Sequence, residues 1–316
     1  MLFLSDHDIE KLLNMEEVID TVEGAFREYA EDKVILPPRS TIMVPKYNGS
    51  ISFMPSYLKG SEAQATKIIS IYPDNPEKGL PTTIAWIIVN DPETGLIEAF
   101  MDATHITAMR TGAITGVAAR YLAPNDATTA AVFGAGVQGR TQLWAACTVR
   151  PIDRAYVYDL DARAMESFAR DMEEKLDIEI SISETGKEAC RDADIVLTAT
   201  TSSKPVIKYE WLKENVHVSA IGAFYPDWRE LDTATVAESK LVVDDYEGIM
   251  LEAGDILIPI NEGAITEEHI YAELKELVSG KKKGRTPEDK LTVFKSVGIA
   301  IQDSSVANLI LSKLDF

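Results

Sequence analysis

Residues 128–139 read Thr-Thr-Ala-Ala-Val-Phe-Gly-Ala-Gly-Val-Gln-Gly, and this stretch decides the fold. The apolar run before Gly134 predicts a buried strand, and the residues after it predict a helix over 137–149. Gly134, Gly136 and Gly139 match the G-x-G-x-x-G pattern, which permits a tight turn, close approach of the backbone to a pyrophosphate, and close packing of helix on strand. We therefore predict a dinucleotide site with the diphosphate at the helix N-terminus.

The next predicted strand, 155–158, ends in Asp159, about twenty residues beyond the glycine loop. A carboxylate there accepts hydrogen bonds from the adenosine ribose hydroxyls and repels a 2′-phosphate, so it predicts NAD as the cofactor rather than NADP. The competing interpretation is a glycine-rich turn followed by an incidental acidic residue.

Strands and helices alternate from the glycine loop onward. Strands are predicted at 128–133, 155–158, 178–182, 195–199, 216–221 and 240–243, and helices at 137–149, 162–176 and 184–191. This alternation predicts an α/β fold with a doubly wound parallel sheet, the Rossmann arrangement. The segment 267–310 is expected to be helical, with one Gly/Lys-rich interruption at 280–284.

The glycine loop begins so far along the chain that another domain must precede it. Ser5 is the predicted cap of a short first helix, and Asn14 is the predicted cap of a second helix. Strands are predicted at 40–44, 49–54, 65–72, 82–90 and 96–101, followed by a helix over 102–122. The first third of the chain is therefore expected to be an α+β domain with a mainly antiparallel sheet, suited to substrate recognition and oligomerisation.

Composition narrows the class of partner. The chain has 316 residues, and 31 Lys and Arg against 51 Asp and Glu give a net charge of −20. Such a surface repels nucleic acids and anionic membranes, so neither is an expected partner. With two cysteines, no span-length apolar run and no basic leader, we expect a cytoplasmic protein. The four histidines lack ligand spacing, so no metal is expected.

Three cations stand out by their surroundings. Arg39 follows two prolines, Lys67 lies inside an apolar strand, and Arg110 lies in a helix rich in small residues. Each has an ordinary interpretation as a surface charge, and for Lys67 the alternatives are an outward-facing strand lysine or a pocket lysine with a shifted pKa.

Further segments carry a family resemblance: Met54-Pro55, Lys67 with Asn75-Pro76, Gly79-Leu80-Pro81-Thr82, Thr94-Gly95, Met101-Asp102-Ala103, residues 106–113 (ITAMRTGA), Gly222-Ala223, Glu230-Leu231-Asp232, residues 294–298 (FKSVG) and Gln302-Asp303. With the glycine loop, they resemble the ornithine cyclodeaminase/mu-crystallin family over nearly the whole chain. That family includes archaeal-type alanine dehydrogenases and cyclic imine reductases.

The resemblance implies roles for individual residues. Arg39 and Lys67 would hold the substrate carboxylate, Lys67 would also move protons, and Val297 would line the substrate pocket. The implied dinucleotide contacts are Thr82, Arg110, Val137, Gln138, Asp159, Thr200 and Ser296. The resemblance also implies a Rossmann NAD-binding domain at 116–295, and a domain for substrate binding and dimerisation built from 1–115 with 296–316. The sheets of two such domains would form a homodimer.

One position separates the activities within the family. Cyclodeaminases carry an aspartate, their proposed proton carrier, where this chain has Phe224, and a phenylalanine transfers no proton. We therefore predict an NAD-dependent oxidoreductase interconverting a small L-amino acid and its imino or oxo acid, either alanine dehydrogenase-like or cyclic imine reductase-like. The alternatives are an ornithine cyclodeaminase, a lyase that forms proline, and a non-catalytic protein that binds NAD and a small ligand.

Overall fold

The computed structural model describes residues 1–314, which form two compact units. The first comprises residues 1–110 and the described residues from 299 onward, and the second comprises Thr111–Gly298. The strands are β1 Leu2–Leu4, β2 Val34–Ile35, β3 Ser40–Val44, β4 Gly49–Leu58, β5 Ala63–Ile71, β6 Thr83–Asn90, β7 Ile97–Asp102, β8 Thr129–Phe133, β9 Arg154–Tyr158, β10 Glu179–Ile182, β11 Ile195–Thr198, β12 Val216–Ala220, β13 Lys240–Val243, β14 Ile270–Glu273 and β15 Leu291–Lys295. The helices are α1 Asp6–Glu10, α2 Met15–Ala30, α3 Thr104–Leu122, α4 Val137–Val149, α5 Ala162–Leu176, α6 Gly186–Cys190, α7 Thr233–Ala237, α8 Tyr246–Glu252, α9 Gly254–Asn261, α10 Leu274–Val278 and α11 Ala300–Ser312.

The first unit contains a seven-stranded sheet in the order β1-β7-β6-β5-β4-β2, with β3 also paired to β4. The β1–β7 pair is parallel and the other pairs are antiparallel. Helices α2 and α11 pack on β4, and α11 also packs on β5. The predicted mainly antiparallel domain and the caps at Ser5 and Asn14 are confirmed.

Strand β5 alternates between the two faces of this sheet. Ala65 and Lys67 are buried on the face that carries α11, and Lys67 pairs across the sheet with the buried Met54 and Ile87. Because successive side chains point to opposite faces, Ile68 lies on the other face. Lys67 is therefore a buried, inward-facing lysine and not an outward-facing one.

The second unit contains eight strands, all in parallel pairs, in the order β10-β9-β8-β11-β12-β15-β13-β14. The predicted doubly wound parallel sheet is confirmed. Two apolar cores cover its two faces, with Ala131 and Phe133 of β8 in one and Ala130 and Val132 in the other. The chain order reverses between β8 and β11, and ligands of such sheets bind in the crevice outside the strand carboxyl ends at that reversal.

The prediction that 267–310 is helical was wrong in two places. Residues 270–273 form β14 and residues 291–295 form β15, which lies inside the sheet between β12 and β13. Strand β15 is short and buried on both faces, so it carries no periodicity that separates a strand from a helix. Strand β14 has four residues, mostly half-buried, and is too short to show a strand periodicity. The predicted helical ending is confirmed by α11.

None of the helices within residues 1–314 combines the length and the apolar character that crossing a membrane requires.

Candidate active site and dinucleotide cleft

The glycine loop connects β8 to α4 in the second unit. Gly134 has φ +98°, a left-handed conformation, and a Cβ there would lie 2.5 Å from the carbonyl oxygen of Ala199. Gly136 is the N-cap of α4, and among the described residues no side chain caps it. A Cβ at Gly136 would meet no described atom within 4 Å, so the loop leaves open space in front of the first helical N–H groups. Free N–H groups beside an open cradle suit an anionic diphosphate.

A cleft of about 600 Å³ opens beside this loop. Its lining includes Gly134, Gly136, Tyr158, Asp159, Leu160, Thr200 and Trp211. Asp159 accepts hydrogen bonds from the backbone N–H of Ala135 at 2.7 Å and of Asp161 at 3.0 Å. A carboxylate has about four acceptor positions, so Asp159 can still accept a bond from a hydroxyl group in the cleft. The next residue, Leu160, is 93% exposed. A protein that binds NADP needs a cation near this position to hold the 2′-phosphate, and leucine provides none.

A buried carboxylate that the sequence analysis did not assign to the site holds Thr200, one of the residues that line this cleft. Glu230 accepts hydrogen bonds from the N–H and the hydroxyl of Thr200, at 2.6 and 2.8 Å. It also accepts from the Thr198 hydroxyl and the Gly222 N–H, both at 2.7 Å. Burial raises the pKa of Glu230, and the nearby Lys295 opposes that rise. Glu230 thus ties together the chain segments that leave β11 and β12.

Two further buried charged residues, Lys295 and Asp255, adjoin Glu230. The fully buried Lys295 donates to the Ala223 carbonyl at 2.6 Å and lies 2.7 Å from Asp255 Oδ2. Asp255 Oδ1 accepts from the N–H groups of Glu230 and Leu231, at 2.7 and 2.9 Å. The carboxyl ends of β11, β12 and β15 are therefore joined through buried charges.

A second buried carboxylate, Asp244, orders the segment after β15. It accepts from the Ser296 hydroxyl at 2.6 Å, and from the N–H groups of Val297 and Gly298 at 3.0 and 2.8 Å. Burial raises the pKa of Asp244, which these hydrogen bonds oppose. Ser296 and Val297, both predicted site residues, are thus held by a residue that the sequence did not single out.

In the first unit, two of the predicted cations meet at one carboxylate. Lys67 Nζ lies 2.6 Å from Asp303 Oδ2, and Arg110 Nε donates to Asp303 Oδ1 at 3.1 Å. Arg110 Nη1 also donates to Gln302 Oε1 at 2.7 Å. Lys67 is 1% exposed and Asp303 2%. Gln302 and Asp303 entered the sequence analysis only through the family resemblance, and no local pattern marks them as partners of Lys67.

The environment lowers the pKa of Lys67 to about 7, chiefly through burial and next through the Arg110 charge. The Asp303 carboxylate opposes this shift, and Arg39 adds to it. Within residues 1–314, neither Lys67 Nζ nor Gln302 Nε2 has an acceptor in hydrogen-bonding geometry, so the short Lys67–Asp303 contact is an ion pair that leaves N–H groups available. Excess positive charge and buried free donors suit an anionic ligand such as a carboxylate.

The remaining predicted residues are distributed over both units. In the first, the half-buried Arg39 precedes β3 and the exposed Thr82 precedes β6. In the second, the exposed Val137 and its neighbour Gln138 open α4. No group of three or more His, Cys, Asp and Glu side chains in the described part of the chain could hold a metal ion.

The fold and the cleft define a Rossmann-type dinucleotide-binding protein with a second, antiparallel-sheet unit that carries a buried cation cluster. The chain belongs to the ornithine cyclodeaminase/mu-crystallin family, whose sequence pattern matches residues 1–315. This confirms the family predicted from the sequence.

Known proteins similar to this chain include a reductase and a dehydrogenase. The structure of Thermococcus litoralis Δ1-pyrroline-2-carboxylate reductase in complex with NADH and L-proline is 51% identical, with a TM-score of 0.96 over 99% of this chain and 97% of that one. An archaeal alanine dehydrogenase dimer with bound NAD is 38% identical, with a TM-score of 0.93 over 99% and 95% of the two chains. The alanine dehydrogenase of Archaeoglobus fulgidus is 38% identical over 309 residues, 98% of this chain and 94% of that protein.

Proposed function

We propose that this protein is an NAD-dependent oxidoreductase that interconverts a cyclic 2-imino acid and the corresponding L-amino acid, with Δ1-pyrroline-2-carboxylate and L-proline as the first pair to test. The observation that carries this choice is the 51% identity, along nearly the whole chain, to a reductase solved with NADH and L-proline. The similarity to alanine dehydrogenase favours a second candidate pair, pyruvate with ammonia and L-alanine.

The second unit is assigned to NAD. The open cradle at Gly136 fits a diphosphate, and Asp159 beside the exposed Leu160 fits an adenosine ribose without a 2′-phosphate. Thr200 and Ser296, each held by a buried carboxylate, would position the nicotinamide end. When bound, NAD supplies the hydride chemistry at the substrate α-carbon.

The first unit is assigned to the substrate. Arg39 and Lys67 would bind the substrate carboxylate, which fixes the α-carbon and removes its orientational freedom. In the reductive direction Lys67 Nζ would give a proton to the imine nitrogen, and in the oxidative direction it would take one back. A pKa near 7 lets the same amine do both at neutral pH, because its charged and neutral forms are then both populated.

Phe224 argues against a cyclodeaminase. Its ring packs on Tyr225 with centroids 4.8 Å apart and offers no group that transfers a proton. The relatives at 38% and 51% identity are a dehydrogenase and a reductase.

We also propose a homodimer that forms through the outer face of the antiparallel sheet. Phe53, Ile68 and Trp86 are cross-strand neighbours on that face and are only partly buried within the chain. An apolar sheet face of this kind marks an interaction site, and a similar alanine dehydrogenase is a dimer. Light scattering at micromolar concentration tests this: Trp86→Glu should give monomers, and a monomeric unaltered protein would refute it.

We place the protein in the cytoplasm, which its two free thiols, Cys147 and Cys190, support.

The function is tested by following NADH absorbance while ammonia is measured alongside. Oxidation of NADH by Δ1-pyrroline-2-carboxylate, and reduction of NAD by L-proline, are the expected results. A preference for pyruvate plus ammonia selects the alanine pair instead. Release of ammonia from L-ornithine without net NADH formation would identify a cyclodeaminase and contradict the proposal, as would saturable NADH binding without turnover of any substrate.

A further inference from the structure

Lys67, Arg110, Gln302 and Asp303 form a buried cluster, which we call the Lys67 cluster. It contains one anion, Asp303, to which the family resemblance gives no role. Asp303 lies on α11, and each of its two oxygens faces a different cation: Oδ2 lies 2.6 Å from Lys67 Nζ, and Oδ1 accepts from Arg110 Nε at 3.1 Å. Lys67 and Asp303 are almost completely excluded from water, so the interaction is not weakened by solvent.

We infer that Asp303 is a positioning residue of the reaction: by bridging Lys67 and Arg110 it holds the amine where the substrate nitrogen is to receive its proton. This inference rests on the proposed function. Lys67 lies on a strand and Arg110 on α3, and both side chains are long and rotatable, so a common anchor is needed to keep the two cations together in one arrangement. The fixed α11 backbone provides that anchor, because Asp303 has a short side chain with little freedom of its own.

Asp303 also acts on the charge of the amine. The groups that face Lys67 are Arg110 from α3, Arg39 from the segment before β3, and Asp303 from α11. Of these three described groups, Arg110 and Arg39 disfavour a charged amine and Asp303 favours it. Removing this anion should therefore lower the pKa of Lys67 below its present value near 7.

The test is the pH dependence of reductive kcat/KM in Asp303→Asn. Because reduction needs protonated Lys67, kcat/KM falls as pH rises through the pKa of the amine. In Asp303→Asn this fall should begin about 1–3 pH units lower, and the value on the acidic plateau should drop about 10²-fold through misplacement of the amine. A fall at the same pH as in the unaltered protein would overturn the inference.

Two further variants separate positioning from a structural role. Asp303→Glu keeps the charge on a longer side chain, so its pH dependence should stay near that of the unaltered protein while kcat/KM drops; unchanged kcat/KM would count against positioning. Ser304→Ala, on the next residue of α11, removes a buried 2.7 Å hydrogen bond to Ser56 but leaves the cluster intact. It should alter thermal stability and not the pH dependence.

A measurement independent of turnover keeps this inference separable from the proposed function. In protein carrying ¹³C-labelled lysine, the Lys67 Cε resonance, assigned by its absence in Lys67→Arg, can be titrated directly. A midpoint that shifts to lower pH in Asp303→Asn supports the role of Asp303 even if no imino acid is turned over. A midpoint that does not move overturns it.

Discussion

Replacing Lys67 with arginine separates the charge of this residue from its ability to transfer a proton. An arginine keeps the positive charge but does not release its proton at any working pH. In the unaltered protein the pKa near 7 means that the amine is about one-tenth charged at pH 8 and about one-tenth neutral at pH 6. Reductive kcat/KM should therefore fall about tenfold per pH unit above 7, and oxidative kcat/KM about tenfold per unit below it.

In Lys67→Arg, both slopes that come from this amine should vanish. Carboxylate binding should be partly kept, whereas kcat should fall about 10²–10⁴-fold, the usual contribution of a positioned acid or base. Lys67→Ala should lose substrate affinity as well as rate. The assay is initial-rate measurement in both directions between pH 5 and 9, with NADH fluorescence to check that cofactor affinity is unchanged.

Lys59→Arg, the same change at an exposed lysine in the turn between β4 and β5, is the control and should leave every parameter unaltered. If Lys67→Arg retained near-full kcat, Lys67 would be only an electrostatic clamp, and the proton carrier would have to be another group.

Further outcomes are expected from changes in the second unit. Asp159→Ser combined with Leu160→Arg should shift the preference from NAD toward NADP in kcat/KM, and an unaltered protein that used NADP equally well would refute the role of Asp159. Glu230→Gln should raise KM for NAD and lower the free energy of unfolding by about 1–3 kcal/mol, because the amide N–H groups would face the N–H and hydroxyl groups that now donate to Glu230. Calorimetry and NAD titration check this, and unchanged values would contradict it. His217 is fully buried, which lowers its pKa to about 3, so the unfolded chain binds its proton first as pH falls. Stability should therefore drop by about 1.4 kcal/mol per pH unit between pH 6.5 and 3 from this group, and His217→Gln should reduce that slope in urea unfolding measured across the range.

The nucleotide-binding part of the fold could be predicted because the sequence patterns that indicate it each lie within a short stretch of the chain. The residues of α4 and α5 were predicted with the bounds that the structure has, since the glycine turn that opens α4 and the alternation of short strands with helices can both be recognised within short stretches of the sequence. Strand β15 was missed because its position is set by its neighbours β12 and β13, which lie far away in the sequence.

The candidate site could be predicted only in part, for the same reason. The strand pattern around Lys67 left open whether its side chain faces inward, because Ala65-Thr66-Lys67-Ile68 does not alternate cleanly between polar and apolar residues. The face is decided by α11, which packs on β5. Asp303, on that helix, lies 193 residues beyond its other partner, Arg110. No spacing rule links residues so far apart. The sequence therefore allowed Lys67 and Arg110 to be predicted as site residues, but not Asp303 as the anion that contacts both.

The burial of Lys67 is unfavourable for stability but lowers the pKa of its amine into the range where it can transfer a proton. Moving an ammonium group out of water is unfavourable, and a buried ion pair is weak evidence of added stability. An exposed lysine, however, would keep a pKa near 10.5 and would hold its proton throughout the neutral range. Burial and Arg110 bring the pKa down, and Asp303 limits the fall, so the amine remains able both to give and to accept a proton near pH 7. On the proposed function, this cluster would let a chain with a net charge of −20 bind an anionic substrate, since the excess of cations is local and sheltered from the acidic surface.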